Sequence, residues 1–175
     1  AENADRERLA AAYYRLGKVE RELEKPAEAA ELYAAFLGKF PDHKLADAAR
    51  YWQGECFIRA DEPARAHTAL QNALPHVKGG KYEPFCLHRL ATALLQTGKY
   101  EAAARRFAEV LKRFPDKDFA ADAALNLARC YESLGEHQQA LRAYRAAEKN
   151  YGTTAGVRAR VERGSILYET GELQK

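Results

Sequence analysis

One small residue recurs at a fixed interval. Gly17, Gly54, Ala91 and Ala128 stand thirty-seven positions apart, and a second series, Ala29, Ala66, Ala103 and Ala140, keeps the same step. Four residues after each member of the second series comes a bulky one: Tyr33, Leu70, Phe107 and Tyr144. A small residue at a fixed place is what two helices need where they cross closely, and the large one four positions later lies one turn along the same helical face. Several markers repeating in register over the chain define an array of copies of one supersecondary unit.

The stretch from Pro84 to Pro115 shows what the unit is. Leu87, Leu90, Ala91 and Leu94 share one helical face, and Ala103, Phe107, Val110 and Leu111 share another, with Thr97-Gly98-Lys99-Tyr100 between them. Each half has a single apolar stripe, so the halves predict an antiparallel helical pair that still needs a neighbouring pair to cover it. No segment alternates with period two over the length of a strand, and the six prolines fall at junctions. The fold class expected is all-α. A chain of 175 residues buries enough surface to do without a metal or disulfide staple.

In chain order, the repeats are expected at about 9–44, 45–81, 82–118 and 119–154, with a partial copy over 155–175, all in one domain covering 1–175. The first helix is expected from Asp5 to Leu23 with Leu9, Tyr13, Leu16 and Val19 turned inward. Pro26 and Pro63 each suit a first helical turn, where proline loses no hydrogen bond. Asp42, Asp61 and Thr153 or Thr154 are expected to cap the helices that follow them. Three repeats end on an aromatic, Phe40-Pro41, Phe114-Pro115 and Tyr151-Gly152; the second has Pro75 inside its helix and Val77-Lys78-Gly79-Gly80-Lys81 instead, which predicts a shortened or kinked helix and a looser joint. Gly79-Gly80-Lys81 is not a phosphate loop, because the preceding glycine and strand are missing. Gly164 and Gly171 keep the spacing of Ala128 and Gly135 at a step shortened by one. Arg160 and Arg163 take positions that are apolar elsewhere, as a polar terminal face or a basic contact patch. Gly171 to Lys175 read as the beginning of another helix, and with no methionine present the sequence is expected to be part of a longer chain.

The spacing of Leu90-Ala91, Gly98-Lys99-Tyr100, Ala103, Phe107 and Phe114-Pro115 resembles the tetratricopeptide repeat. The longer step and aromatic-proline ending are similar to the variant in bacterial cell-envelope proteins, such as the lipoprotein of the outer-membrane barrel-assembly machine and the coordinator of the Tol-Pal system. The resemblance runs from Ala10 to near the end. Glu20 and Gln53, and the missing proline stop of the second repeat, depart from it. It implies a right-handed α-solenoid of about four full repeats plus a terminal helix, its first helices lining a concave groove. The envelope-type ending points to the bacterial cell envelope or periplasm, while the residues themselves leave the compartment open, the cytoplasm included.

Carried onto this sequence, the groove positions are Ala11, Tyr14, Lys18 and Arg21; Ala48, Tyr51, Glu55 and Ile58; Phe85, His88, Thr92 and Leu95; Asp122, Leu125, Arg129 and Glu132; then Arg158, Val161, Ser165 and Tyr168. The binding residues expected among them are Tyr14, Lys18, Arg21, Tyr51, Glu55, Phe85, His88, Thr92 and Arg129, because aromatics and arginines most often anchor interfaces. Tyr14 and Tyr51 are equally open to a packing role between first helices, as is Trp52. The carboxylate grip of some family members is not carried over: Trp52 stands where its asparagine would, and His88 and Thr92 replace its basic pair.

Catalysis finds no support. The five histidines are scattered without metal-ligand spacing, the two serines lie outside any nucleophile motif, and Cys56, Cys86 and Cys130 read as small buried residues. No cofactor is expected. A net charge of +3 and the mixing of Arg105, Arg106, Lys112, Arg113 and Arg158 to Arg163 with Glu109 and Glu162 argue for a solvated face over a nucleic-acid surface. No apolar run is long enough to enter a membrane. The expectation is a non-catalytic scaffold that holds a peptide or helix of another protein, or of its own chain. Self-association through the terminal repeats is the alternative.

Overall fold

The computed structural model describes residues 2–171. Among them are nine α-helices: α1 (Glu2–Glu22), α2 (Pro26–Lys39), α3 (Ala46–Arg59), α4 (Pro63–Val77), α5 (Glu83–Gln96), α6 (Tyr100–Arg113), α7 (Ala120–Ser133), α8 (His137–Asn150) and α9 (Thr153–Glu169). With no strand among the described residues, the chain is an all-α helical-repeat solenoid. Its contacts divide it into two compact units, Ala1–Ala93 and Leu94–Lys175. In the first, α2 packs on α1 and α3, and α3 on α4; in the second, α7 packs on α6 and α8, and α8 on α9.

The marker series sit where close crossings need them. Ala29, Ala66, Ala103 and Ala140 are fully buried, as are Tyr33, Leu70, Phe107 and Tyr144. A Cβ added at Gly17 would meet the Tyr33 ring at 3.1 Å, and one at Gly54 would meet Leu70 Cγ and Cδ2 at 2.4 Å. Glycine there sets how near α1 comes to α2, and α3 to α4.

The turns inside the repeats are built alike. Glu24, Asp61, Gly98 and Gly135 have φ of 58°, 57°, 71° and 71°. Around each, two bonds close the helix end: Lys25 N–H donates to the Glu20 carbonyl and Glu24 N–H to that of Arg21, with the same pair at Glu62/Phe57 and Asp61/Ile58, Lys99/Leu94 and Gly98/Leu95, Glu136/Tyr131 and Gly135/Glu132. This left-handed residue with its 6→1 bond is the Schellman ending, which supplies donors to the last carbonyls. Gly171, at φ 70°, takes the same place after α9 and fits the step shortened by one. A Cβ at Gly164 would meet nothing within 4 Å, so that glycine marks no tight crossing.

Four expectations are corrected. Leu9, Leu16 and Val19 do not face inward: they are 50%, 48% and 45% exposed, and Ala10 and Gly17 take the buried side of α1. The N-cap positions of α3, α4 and α9 are Leu45, Glu62 and Gly152 in place of Asp42, Asp61 and a threonine, none with a side-chain cap bond. Asp61 is instead the left-handed turn residue. Pro75 does not end α4, which continues to Val77. The carbonyl that loses its donor belongs to Gln71, and both residues are exposed, so water satisfies it.

The joint after α4 also keeps the regular pattern. Val77 falls one repeat step from Phe40 and is buried like it. Gly80 N–H donates to the Val77 carbonyl and Glu83 N–H to that of Gly80, matching His43 to Phe40 and Ala46 to His43. The Glu83 carboxylate adds a bond from Gly79 N–H at 2.8 Å, where φ of +74° suits glycine. The helix expected after Gly171 lies outside the described residues.

Two buried tyrosines at one repeat position differ in a single bond. Tyr144 Oη donates to Glu132 Oε2 at 2.9 Å, whereas the buried Tyr33 hydroxyl finds no hydrogen-bond partner among the described residues. Burial raises the pKa of both phenols, so each stays neutral. An unpaired buried hydroxyl costs about 1 kcal/mol or more, so Tyr33→Phe should stabilise by about that much, and Tyr144→Phe should destabilise by a similar amount. Urea unfolding of the two variants checks this; the same sign for both would defeat it.

Candidate binding face of the first unit

The face is carried by the first helices of three repeats, α1, α3 and the part of α5 before Leu94. Tyr14 on α1 sets its ring edge on Tyr33 and Phe36, with centroids 5.5 and 5.9 Å away. Burial holds its hydroxyl above its ordinary pKa. The Arg21 guanidinium lies 3.5 Å from the centroid of the Trp52 ring, a cation–π stack. Tyr51 adjoins Trp52 at 4.8 Å, stacks on Tyr82 at 5.7 Å and reaches Phe85 at 5.7 Å. Tyr14, Trp52, Tyr51, Tyr82 and Phe85 are all half-buried and form one aromatic strip with accessible ring surface.

Charge is distributed unevenly along the strip. On the α3–α5 side, Arg89 holds Glu55 by an ion pair and by a bond from Nη2 to Oε1 at 3.1 Å. Burial and the Glu55 charge raise the pKa of the Tyr51 hydroxyl, against the opposing charge of Arg89. On the α1 side, Arg21 is different: its Nη1 is buried and has no hydrogen-bond partner among the described residues. One end of the strip is thus internally neutralised, and the other holds a cation with no carboxylate paired to it among the described residues.

The expected lining residues divide accordingly. Tyr14, Arg21, Tyr51 and Phe85 come together on the strip. Lys18 is exposed and 3.7 Å from Glu22 on its own helix. Glu55 and His88 are 9% and 3% exposed and so are withdrawn from direct contact with a partner. Thr92 returns its hydroxyl to the His88 carbonyl at 3.1 Å. Arg129 lies in the second unit, 3.7 Å from Glu162, and Leu125 there belongs to the core, 4% exposed. Three residues of the strip are not among the expected binding residues: Trp52, which the sequence places beside the lining, Tyr82 and Arg89. Arg89 was within reach of the sequence, since it stands one repeat step after Trp52 and 34 residues after Glu55.

A second recess of about 600 Å³ in the first unit is lined by Leu37, Arg50, Phe57, Arg65, Asn72 and His76. Its cations are already engaged: Arg50 with Asp47 and the Pro41 carbonyl, Arg65 with Glu31 and Glu62 and stacked 4.1 Å from the Phe57 centroid. Of the arginines weighed as a basic patch, Arg106 and Arg113 pair with Glu109, and Arg160 and Arg163 with Glu148. No group of three or more potential metal ligands occurs among the described residues, and no described helix is long and apolar enough to cross a membrane.

A family model described as tetratricopeptide repeat matches residues 14–80, 88–155 and 134–175. No curated protein matches the chain. Among solved structures, MamA from Desulfovibrio magneticus RS-1 is 16% identical with a TM-score of 0.76, over 94% of this chain and 87% of that one. YrrB, titled a TPR protein with an unusual peptide-binding site, is 22% identical with a TM-score of 0.72, over 86% and 74%. A putative kinesin light chain with TPR-like repeats from Podosopora anserina is 14% identical with a TM-score of 0.74, over 94% and 87%.

Proposed function

The chain belongs to the tetratricopeptide repeat family, and from that premise we propose that it is a non-catalytic scaffold which holds a peptide or helical segment of a protein partner on the α1–α3–α5 face. The observation that carries the reading is the half-buried aromatic strip from Tyr14 to Phe85, flanked by Arg21, whose charge no described carboxylate neutralises. Rings fixed by their neighbours lose little conformational freedom on contact, and a carboxylate of the partner gains a charge-assisted bond where Arg21 is already desolvated. Recognition therefore combines burial on Tyr14, Tyr51 and Phe85 with one acidic group near Arg21. Lys18 and Thr92 lie at the border of this face, and Glu55 and His88 support it from beneath. YrrB, a TPR protein with a peptide-binding site, is consistent with the class of partner.

A displayed peptide library selected on the protein tests this. Tyr14→Ala, Tyr51→Ala and Phe85→Ala combined should weaken selected peptides about 100-fold, in line with loss of interface anchors, while the helical circular dichroism stays intact. Arg21→Ala alone should weaken acidic ligands by about tenfold and neutral ones little. Unchanged binding in the triple variant would remove the face as the site. The likeness of the aromatic-proline stops to envelope-type repeats supports seeking the natural partner in a bacterial cell envelope, which fractionation of the intact protein tests.

A further inference from the structure

The large apolar residues exposed on α1 follow a strict spacing. Leu9, Ala12, Leu16, Val19 and Leu23 alternate by three and four positions, the a and d places of a heptad. All five are exposed, Leu9, Leu16, Val19 and Leu23 by 45–59%. They extend for about 21 Å along the helix and past its end into the turn.

One repeat step later the same positions are Ala46, Ala49, Gln53, Cys56 and Ala60 on α3, the helix that packs on α2; in the third repeat they are Glu83, Cys86, Leu90, Ala93 and Thr97, and in the fourth Ala120, Ala123, Leu127, Cys130 and Leu134, with α7 packing on α6. Ala46, Ala49, Cys56, Ala120, Ala123 and Cys130 are buried. At the places of Leu9 and Val19, α3 and α7 carry only alanine and cysteine, which admit the preceding repeat's second helix closely, whereas α1 carries leucine and valine there; at the place of Leu16 the third and fourth repeats have leucine too, and on α1 the whole heptad-spaced series is left exposed. That is the surface of a knobs-into-holes seam.

We propose that this seam is a homodimer interface, in which α1 of a second copy lies antiparallel on α1. The register that pairs a with d places Leu16 opposite Val19 of the other copy and Ala12 opposite Leu23, each contact occurring twice by symmetry. Large faces small in the outer layers. The same register brings Arg15 opposite Glu22 of the other copy, again twice, on the side of α1 away from α2. Both residues are exposed, and Glu22 has only a loose 3.7 Å contact with Lys18 to exchange. A parallel pair would need Glu20 as the mate of Arg15, but Glu20 is 21% exposed and already near Lys25. Charge complementarity and accessibility both favour the antiparallel arrangement. Because α1 is already held helical by α2, association does not have to order it.

Light scattering after size exclusion at roughly 100 µM should give a dimer. Leu16→Glu should give a monomer with unchanged helical signal, since that side chain stands outside the core. Arg15→Glu or Glu22→Arg should each weaken the dimer about tenfold by replacing two attractive contacts with two repulsive ones, and the double reversal should restore it. A monomer for the unmodified chain would overturn the proposal and leave the seam to a helix of a different chain or an additional repeat. Persistence of the dimer in Leu16→Glu, or failure of the double reversal to restore it, would overturn it as well. None of these outcomes bears on peptide binding to the aromatic strip, so the two readings fail separately.

Discussion

Tyr144→Ala should destabilise the second unit by about 4 kcal/mol, near the top of the range for removing a buried aromatic. The reason lies in what surrounds the ring. Tyr144 is fully buried in a cluster that includes Ala124, Ala128, Ala140, Ala147 and Ala159. Alanines have no side chain that can swing into a vacated space, and their Cβ atoms are fixed to helices held by other contacts, so the cavity would remain largely open. The Glu132 carboxylate would lose its phenol donor at the same time. Urea unfolding monitored by circular dichroism measures the loss. A cost below about 1.5 kcal/mol would mean that α8 and α7 can collapse together, contrary to the rigid crossing described above.

Gly54→Val should lower the stability of the first unit by about 3 kcal/mol through overpacking. Propensity alone predicts the opposite sign, since an ordinary residue in mid-helix is favoured over glycine by up to about 1 kcal/mol. Geometry decides. The first added carbon would already stand 2.4 Å from Leu70 Cγ and Cδ2, and Leu70 is fully buried on α4, so neither side chain has room to yield. Gly17→Ala is milder, because its nearest contacts are ring atoms of Tyr33 at 3.1 Å. The order of effects, Gly54→Val above Gly17→Ala, is read from thermal unfolding midpoints; equal stability of Gly54→Val and the unmodified protein would sink the account.

The repeat architecture was legible because its markers are steric requirements. Glycine or alanine at a crossing and a large residue one turn away leave few other readings, and the helix boundaries follow within a few residues. The outward face of α1 was not legible in the same way. An amphipathic pattern shows that a stripe will be covered, but on a terminal helix it does not show by what, so Leu9, Leu16 and Val19 were assigned to the interior. Pro75 and the joint after it depart from the expected shortening for a related reason: the proline lies in the last turn, where an exposed carbonyl can turn to water, and Val77 fills the place of an aromatic while the joint keeps its bonds. At the candidate site, the aromatic residues could be located from the repeat register. The burial of His88 and Glu55 could not, since it depends on how nearly α3 and α5 approach and on Arg89 closing over Glu55.

Cys56, Cys86 and Cys130 are free and buried, and burial pushes their thiols up to about 11, about 12 and about 12. Near neutral pH almost none of each is thiolate, so an alkylating reagent can modify them only after the surrounding helices separate. Cys56 and Cys86 lie in the first unit and Cys130 in the second. Their labelling rates therefore time how often each half of the molecule breathes, without any engineered residue having to be introduced.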